Sequence, residues 1–500
     1  MKRLSPPTTD ELLAIYAQGP DAMCSLVQDL CASFGSLQDE FASLLAVTTD
    51  LAKEVRDLKS RIAMDSHNSS KPPSSDGYKK PPKPRNLRVK TGKRPGGQDG
   101  HAGYTLDPVS KPDHHFIHAP KTCGSCGHSL NKAKIVGRDK HQVFDLPELK
   151  LEVTEHEVVS CVCPHCFALN RGEFPDSATQ PTQYGPRFLG VLTYLNQYQL
   201  IPLARTQECI GDLFGHRPSQ ATITNALAHC AKYLEPVEAA IKKAIAEAAV
   251  ANFDETGMRV AKLLQWIHTA STLLLTFYYK HSNRGGEAFE EIGILKDLKG
   301  TAVHDCLASY FNRDFICRHS VCNAHLLREM LGTWENTHET WTQRMSSLLR
   351  SLKRAKEAAQ AAGQHQLDPQ LLQRYHRVYR RIVARGLLKN PAPERTGKRG
   401  RPANGKTRSL LLRLDNHEES VLHFAKDFAV PFDNNLAERD LRMVKLHQKI
   451  SGCFRSDAGA NQFCTIRGYI STLRKHGIDV ISALCAGFDG RIVWPSLKPA

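Results

Sequence analysis

The stretch VANFDETGMRVAKLLQWIHTASTLLLTFYYK (250–280) is the part of the sequence that decides the fold. It contains three short β-rich runs, at 250–255, 263–271 and 273–280, and a fourth run, TAVHDC, follows at 301–306. Short runs rich in β-branched and aromatic residues, separated by turn or polar residues, predict strands. Helical patterns precede the stretch and return after it. The sequence therefore predicts a mixed core of helices and strands.

Two carboxylates follow strand-like runs, and a third lies in a predicted helix. Asp254 ends the run VANFD, and Asp305 ends TAVHD. Glu438 lies in a helix that Asp433 or Asn434 would open, since both residue types are good N-caps. Two strand-end carboxylates and one helical carboxylate can hold two Mg²⁺ ions about 3.5–4 Å apart. Taken singly, each acid more often belongs to a turn or to a solvated helix face.

Two cysteine pairs have the spacing of metal ligands. They are Cys123-x-x-Cys126 and Cys163-x-x-Cys166, and their glycine and proline neighbours favour the turns that bring two thiolates to one ion. Strand-like sequence joins the pairs, so we predict a zinc ribbon with one structural Zn²⁺. Cys161 is an alternative to Cys163 as a ligand, and unmetallated core cysteines are the alternative to a zinc site.

The formal net charge of +16 is concentrated in two segments. Residues 341–413 hold 18 Lys or Arg against three acids, and residues 66–122 hold 11 against four. Clustered positive charge favours a polyanionic partner, because each neutralised phosphate releases condensed counterions. A basic surface that only keeps the protein soluble is the alternative. We expect double-stranded DNA as the partner, contacted mainly through its phosphates.

Individual basic residues mark two candidate DNA contacts. The segment Lys398-Arg399-Gly400-Arg401-Pro402 is similar to an AT-hook core, in which arginines enter a narrow minor groove. A merely flexible loop explains that composition equally well. Arg442 lies one turn after Glu438 and could either pair with it or meet a phosphate. The candidate DNA-binding residues are Arg399, Arg401, Arg439, Arg442, Lys445, Lys449 and Arg455.

The N-terminal region carries a hydrophobic seam that alternates steps of three and four residues. Such an a/d pattern over about five heptads predicts a coiled coil that pairs two chains, with a helix packed on its own domain as the alternative. The Pro-, Ser-, Gly- and Lys-rich segment after it predicts an extended basic linker. The seam residues are Val27, Leu30, Phe34, Leu37, Phe41, Leu44, Thr48, Leu51, Val55, Leu58 and Ile62.

Several motifs resemble the insertion sequence 66 family of bacterial transposases. They include NSSKPPSSD (68–76), GGQDGHAG (96–103), CNAH (322–325) and, above all, DNNLAERDLRMVKLHQKISGCFRS (433–456), together with DET (254–256) and the two CxxC pairs. The resemblance covers most of the chain. It implies a ribonuclease H-like catalytic core whose DDE triad is carried here by Asp254, Asp305 and Glu438.

One motif departs from the family pattern. The family usually shows an Asp-Gly-Tyr type of sequence at its second acid, whereas this chain has Asp305-Cys306-Leu307-Ala308-Ser309-Tyr310. The acid and the tyrosine remain, so we keep Asp305 as the second acid. Asp314 is the nearest rival, although it lies in the polar sequence FNRDF rather than after an apolar strand.

The resemblance implies a DNA transposase that needs Mg²⁺ or Mn²⁺ together with Zn²⁺. Its implied partners are the terminal inverted repeats of a transposon, target DNA, a second or further copy of the chain, and accessory transposition proteins. A zinc-containing DNA-binding protein or an inactive transposase derivative is the alternative, and a host nuclease is a third hypothesis. The fifteen cysteines argue against a disulfide framework, and no apolar run suggests a membrane span or a signal peptide. We expect a cytoplasmic, nucleoid-associated protein.

The predicted fold class is multidomain α+β: an N-terminal coiled coil, a zinc ribbon, and a ribonuclease H-like α/β catalytic core with a basic helical insertion. The predicted boundaries are a coiled coil at 22–65, a basic disordered linker at 66–118, a zinc-binding unit at 119–178, a helical DNA-binding region at 180–249, the catalytic core at 250–334 and 426–480, the basic helical insertion at 335–425 and a C-terminal tail at 481–500.

Overall fold

A computed structural model describes residues 7–62, 64–65, 68–69, 105–393 and 404–498. Within these residues the chain forms two compact units. One unit combines the N-terminal region, up to residue 85, with 323–358 and 368–417. The other combines 86–322, 359–367 and 418–500. Most of the predicted linker, and the AT-hook-like residues Arg399 and Arg401, lie outside the described residues.

Helices dominate the described part of the chain. A π-helical turn at Tyr194–Tyr198 and a 3₁₀ turn at Ala308–Phe311 accompany them. The α-helices are α1 (Thr9–Tyr16), α2 (Pro20–Ile62), α3 (Pro186–Thr193), α4 (Leu203–Phe214), α5 (Gln220–Ala246), α6 (Gly286–Ile292), α7 (Ile294–Asp297), α8 (Asn323–Thr337), α9 (Thr340–Ala361), α10 (Pro369–Lys389), α11 (Lys406–Asn416), α12 (Glu418–Lys426), α13 (Asn435–Ser451), α14 (Asp457–Lys475) and α15 (Val480–Phe488).

In the described residues, seven strands form two sheets. The small sheet pairs β1 (Ser160–Val162) with β2 (Leu169–Arg171). The large sheet has the order β5-β4-β3-β6-β7. Its members are β3 (Val250–Val260), β4 (Leu263–Ser271), β5 (Thr276–His281), β6 (Thr301–His304) and β7 (Arg318–Val321).

The large sheet mixes two pairing directions. Strands β3, β4 and β5 form an antiparallel meander, whereas β6 runs parallel to β3, and β7 runs parallel to β6. The four residues of β6 are all buried, as expected for a parallel strand that is covered on both faces. The sequence predicted the first four strands of this sheet, and β7 was not predicted.

Helices cover the large sheet with two hydrophobic clusters. One cluster joins α5 to the sheet through residues such as Leu234, Ile241 and Phe277, and it includes α14. The other packs α13 and α14 against Met258, Val260 and further side chains of β4 and β5. The sheet therefore lies inside a helical shell, which excludes water from its centre.

The helical unit contains the basic insertion. Helix α11 packs against α10 and α8, and the Tyr379 hydroxyl donates to the carbonyl oxygen of Leu414 at 2.8 Å. Leu349, Leu352 and Leu411 are fully buried. Helix α10 starts at Asp368, whose carboxylate accepts the backbone N–H of Gln370. Amphipathic helices thus follow the helical pattern predicted for 335–425.

The N-terminal region forms the long helix that its heptads predict. Helix α2 has 43 residues, and its seam residues Leu30, Phe34 and Leu37 are exposed in the single chain. An exposed hydrophobic stripe of this length has no packing partner within the described chain. Pairing of two chains through α2 stays a prediction.

Two segments differ from their predicted structure. Of the two short strands expected in the stretch 143–166, one forms as β1 (Ser160–Val162), whereas residues 143–159 are mostly exposed and form no strand. Residues 481–500, expected to be a tail, include most of α15. This helix packs against α3 and buries Ala483 and Leu484. Its apolar residues belong to the sheet-containing core.

Candidate active site

The two predicted strand-end acids lie on neighbouring parallel strands. Asn252 of β3 is paired with Val303 of β6, and Asp254 and Asp305 each follow two residues later. Because side chains alternate faces along a strand, residues two positions beyond a pair project to the same side. Strand β3 continues past Asp254 to Val260, so this acid lies within the strand rather than at its end. It lies where the parallel pairing with β6 stops.

The third acid is positioned by Asn434, the residue that precedes α13. Its side-chain amide donates to the carbonyl oxygen of Phe253 at 2.7 Å and accepts from Asn252 at 2.8 Å. Both partners belong to β3, next to Asp254. Glu438 lies in the first turn of α13, where its backbone N–H donates to the Asn434 carbonyl. The start of the helix is therefore attached to the strand that carries the first acid.

The sequence left open whether Asp433 or Asn434 caps α13. Asn434 occupies the cap position, but its side chain makes no capping hydrogen bond. Asp433 instead accepts the backbone N–H of Asn435 at 3.2 Å. Asp433 therefore accepts a backbone N–H at the start of the helix, whereas Asn434 attaches the helix to the sheet.

Asp440 is a second attachment of α13, and the sequence analysis did not single it out. Its carboxylate accepts from the Ser271 hydroxyl at 2.6 Å and the Thr276 hydroxyl at 3.1 Å, and it pairs with the Lys475 ammonium at 2.9 Å. A carboxylate with three donors is a structural anchor. Only the side-chain contacts distinguish this role from that of Glu438, two residues earlier.

The three predicted catalytic acids are electrostatically coupled. The pKa of Asp254 is raised well above its ordinary value, first by burial and then by the charges of Glu255, Asp305 and Glu438. A carboxylate whose charge raises the pKa of Asp254 must lie close to it. The carboxylates of Asp305 and Glu438 therefore add negative charge next to Asp254, and a divalent cation would neutralise it.

The three acids are too far apart to share a single ion in the structure described here. Their oxygens do not all lie within 4.8 Å of one another. Two metals about 3.5–4 Å apart, each about 2.1 Å from its oxygen ligands, span about 8 Å from one outer ligand to the other. Hard carboxylate oxygens are also what Mg²⁺ and Mn²⁺ prefer. The binding of two such cations by Asp254, Asp305 and Glu438 stays a prediction.

A fourth acid, Glu255, lies beside the triad and is neutralised differently. Its buried carboxylate accepts from Arg284 Nε at 2.8 Å and from the Tyr310 hydroxyl at 2.7 Å. Burial raises the pKa of Glu255, and Asp305 raises it further, whereas Arg284 opposes the shift. Arg284 also approaches Asp305 at 3.6 Å and lies over the Trp266 ring. Glu255 is therefore a structural partner of Arg284 and Tyr310.

The altered second motif keeps its geometry. Cys306, where the family usually has glycine, has φ +74°, the left-handed conformation that glycine adopts most easily. Tyr310 is buried and reaches Glu255, and Asp305 accepts the backbone N–H of Leu307 at 3.0 Å. Asp314 is exposed on a loop and is not among the charges that shift Asp254. These contacts favour Asp305 as the second acid.

The basic residues near Glu438 differ in their exposure. Arg439, Arg442, Lys449 and Arg455 are exposed. Arg442 makes no ion pair with Glu438, so its guanidinium is open to a phosphate. Lys445 is half-buried, and its ammonium donates to the carbonyl oxygen of Gly257 at 2.7 Å. This lysine joins α13 to β3, and burial lowers its pKa.

Both cysteine pairs form the same tight turn. Cys123 donates its backbone N–H to the His128 carbonyl at 2.8 Å, and Cys163 donates to the Ala168 carbonyl at 2.9 Å. In each turn, backbone N–H groups point at the first sulfur and lower the pKa of Cys123 and of Cys163. Cys161 lies in β1, outside the turn. The geometry thus places Cys163 where a metal-binding turn needs a thiolate.

The two cysteine turns have not come together into one cluster. No three of the four sulfurs, Cys123, Cys126, Cys163 and Cys166, lie within 4.8 Å of one another. A tetrahedral zinc at about 2.3 Å from each sulfur requires closer approach. Each turn separately fits the metal, whereas bringing the turns together would require movement of the exposed segment between them.

Among the described residues, no helix has an apolar stretch long enough to cross a lipid bilayer.

Three family models match the chain. The Transposase IS66 family matches residues 181–462, which contain the large sheet and all three acids. The zinc-finger binding domain of transposase IS66 matches residues 120–166, which contain both cysteine pairs. A family of unknown function (DUF6444) matches residues 21–107. No curated protein matches the chain.

Proposed function

The chain belongs to the IS66 family of transposases, and from this premise we propose that it cuts DNA at transposon ends and joins the freed 3′-hydroxyls to target DNA. The observation that supports the proposal is geometric: Asp254 and Asp305 each follow a paired position of β3 and β6 by two residues, and Asn434 attaches the start of α13, which carries Glu438, to β3. An IS66-type zinc finger in the same chain supports DNA binding and a zinc ion.

Two chemical steps make up the proposed reaction. In the first, water attacks a phosphorus atom at the transposon end; a P–O bond forms, the P–O3′ bond breaks, and a 3′-hydroxyl is released. In the second, that hydroxyl attacks a target phosphorus, forming a new P–O3′ bond while the target strand's own P–O3′ bond breaks. The first step hydrolyses one phosphodiester bond, and the second exchanges one phosphodiester bond for another. Neither step needs an oxidant or a nucleotide.

The chain's own residues prepare the site for these steps. Asp254, Asp305 and Glu438 would hold two divalent cations, Mg²⁺ or Mn²⁺, which would activate the attacking oxygen and stabilise the leaving oxygen when bound. Asn434 and Asp440 hold α13 so that Glu438 faces the strands. Arg284 and Tyr310 keep the charge of Glu255 paired.

The sheet supports a ribonuclease H-like core as the finer description of the fold. An antiparallel meander, β3 to β5, is continued by two parallel strands in the order β5-β4-β3-β6-β7. The first acid lies on the central strand β3, and the second follows its parallel neighbour β6. The helical segment 323–426 separates these strands from α13, as an insertion into such a core would.

Three further assignments complete the proposal. Helix α2 pairs two copies of the chain, because its exposed seam needs an apolar partner. One zinc joins the turns at Cys123-Cys126 and Cys163-Cys166. DNA phosphates are met by the exposed residues Arg439, Arg442, Lys449 and Arg455 near Glu438, and Arg399 and Arg401 are proposed contacts on sequence grounds alone.

The test separates catalysis from binding. The chain is incubated with duplexes that carry the inverted repeats flanking its reading frame, in Mg²⁺ or Mn²⁺, and nicked and joined strands are resolved on a denaturing gel. The Asp254→Asn variant should bind the duplex as tightly as the unaltered chain and produce no nick. An Asp314→Asn variant should cut normally.

Other outcomes would identify a different function. Cation-dependent nicking that survives Asp254→Asn removes this residue from the reaction. Tight binding without any cleavage by the unaltered chain would favour a zinc-containing DNA-binding protein or an inactive derivative. Cleavage without joining of the 3′-ends would favour a nuclease.

A further inference from the structure

A groove lies between α9 and α10 in the helical unit, and its residues take no part in the site described above. It has a volume of about 650 Å³. Its polar lining includes Arg344 and Tyr375, and the Tyr375 hydroxyl is hydrogen-bonded to Ser351 at 2.9 Å. Four of its lining side chains are cationic: Arg344, Arg381, Arg385 and Lys389.

These cations have no partner within the described chain. All four are exposed, and none makes an ion pair or a hydrogen bond with a described residue. Helix α10 contains no aspartate or glutamate, although it holds six arginines and lysines. Glu339, which precedes α9, is hydrogen-bonded to the Asn390 side chain and forms no ion pair with these cations in the described part of the chain. The charge of the groove is therefore uncompensated.

The spacing of the cations along α10 destabilises the isolated helix. Arg377, Arg381, Arg385 and Lys389 follow one another at intervals of four residues, so each faces the next one turn on. Like charges at this interval destabilise a helix. A surface that served only solubility would gain from interleaved acids, whereas a polyanion would neutralise the whole row.

The row also matches the repeat of a nucleic-acid strand. Arg381, Arg385 and Lys389 extend over eight residues, or about 12 Å at the helical rise. One strand of duplex DNA presents a phosphate about every 3.4 Å along the helix axis, so the row spans roughly three or four phosphates. The groove accordingly offers one cation for nearly every phosphate.

A second, independent observation comes from Trp341. The residue lines the groove and is 5% exposed, and its indole N–H is buried without a hydrogen-bond partner among the described residues. A buried donor without an acceptor is unfavourable. Because Nε1 is enclosed, the indole would have to turn towards the groove before a phosphate oxygen held by the surrounding arginines could accept this N–H.

We propose that the α9–α10 groove binds the phosphate backbone of one strand of duplex DNA, through Arg344, Arg381, Arg385, Lys389 and the indole N–H of Trp341. The inference rests on the proposed function in so far as DNA is the partner, and it assigns a binding surface separate from the acids. Because the contacts are to phosphate, they hold the duplex in place and do not read its sequence.

The test compares two variants of equal charge. Arg381→Gln/Arg385→Gln/Lys389→Gln removes three groove cations, and Arg350→Gln/Arg354→Gln/Arg374→Gln removes three exposed cations of the same helices that do not line the groove. Binding of a fluorescein-labelled duplex of random sequence is measured by anisotropy at several salt concentrations. The buffer is free of Mg²⁺ and Mn²⁺, so cleavage has no part in the result.

The groove variant should lose affinity and reduce the slope of log K against log salt by about 2–3, as three lost phosphate contacts predict. The control should change the slope by less than about 1. Equal losses in both variants, or none in the groove variant, would overturn the proposal. Helical circular dichroism of both variants excludes unfolding, and Arg385→Lys, which keeps the charge, should retain the slope if Arg385→Gln lowers it. This result is independent of whether Asp254→Asn abolishes cleavage.

Discussion

Asn252 of β3 donates its side-chain N–H to Asn434 Oδ1 at 2.8 Å, across 182 residues of sequence. Both side chains are buried. This contact and the one from Asn434 to the Phe253 carbonyl hold the start of α13 against the strand that carries Asp254. The position of Glu438 relative to Asp254 therefore depends on Asn434, which is not one of the three acids.

We expect Asn434→Ala to lower cleavage while leaving DNA binding intact. The substitution orphans a buried donor on Asn252 and a buried carbonyl on Phe253, at a cost of about 1–3 kcal/mol for each group. Gel-based nicking and duplex anisotropy measure the two effects separately. Asn435→Ala, an exposed neighbour whose side chain makes no described contact, is the control. Equal nicking rates in the two variants would show that Asn434 does not position Glu438.

The Tyr310 hydroxyl should contribute to stability because its partner Glu255 is buried. Tyr310→Phe removes one of the two donors to that carboxylate, and we expect the free energy of unfolding to fall by about 1–3 kcal/mol in urea. Tyr279→Phe removes a tyrosine–glutamate bond to the exposed side of Glu291, so its cost should stay below about 1 kcal/mol. If both variants lose the same amount, the burial of Glu255 does not matter.

Acid should destabilise the core through His268. The imidazole is 4% exposed, Nε2 donates to the Asn283 carbonyl, and Nδ1 is buried without a described partner. Burial lowers the pKa of His268 from 6.5 to about 4. The pKa of His268 is lower in the folded protein than in the unfolded one. Its contribution to the free energy of unfolding is therefore complete above pH 6.5 and is lost as the pH falls towards 4.

Urea unfolding at a series of pH values measures this effect. The fall in the pKa of His268 from 6.5 to about 4 corresponds to a loss of about 3 kcal/mol in the free energy of unfolding between pH 6.5 and 4. His268→Gln should flatten the profile over this range, whereas His114→Gln, at an exposed position, should leave it unchanged. A profile that keeps its slope in His268→Gln would contradict the assignment.

Zinc content should depend on Cys163 and not on Cys161. Backbone N–H groups lower the pKa of Cys163, which favours the thiolate that a metal binds, whereas Cys161 lies in strand β1. Atomic absorption of the purified chain should give one zinc per chain, lost in Cys163→Ser and kept in Cys161→Ser. The reverse pattern would exchange the two residues, and full zinc in both variants would exclude this turn from the site.

Bound zinc should also order the segment between the two turns. The four sulfurs must come closer than they are in the structure described here, because zinc binds all four at about 2.3 Å. Hydrogen exchange of residues 127–160 should therefore slow when zinc is added to the chelator-treated chain. If hydrogen exchange of this segment does not slow, zinc does not order it.

The sequence by itself determined the features that depend on local patterns. Alternating apolar runs specified β3, β4, β5 and β6, because period and residue type are properties of neighbouring residues. The heptad steps specified the helix α2, and the CxxC spacing specified both metal-binding turns. The motif around Glu438, residues 433–456, indicated the family because it resembles the family's signature over a long stretch.

Only the tertiary structure decided which side chains meet. Glu255 and Asp440 lie one and two residues from predicted catalytic acids, yet Arg284 and Lys475, from distant segments, make them structural. The capping question at α13 was likewise settled by the Asn434 contact with β3. Hydrogen bonds between groups 29 to 181 residues apart leave no local pattern, so composition and spacing could not reveal them.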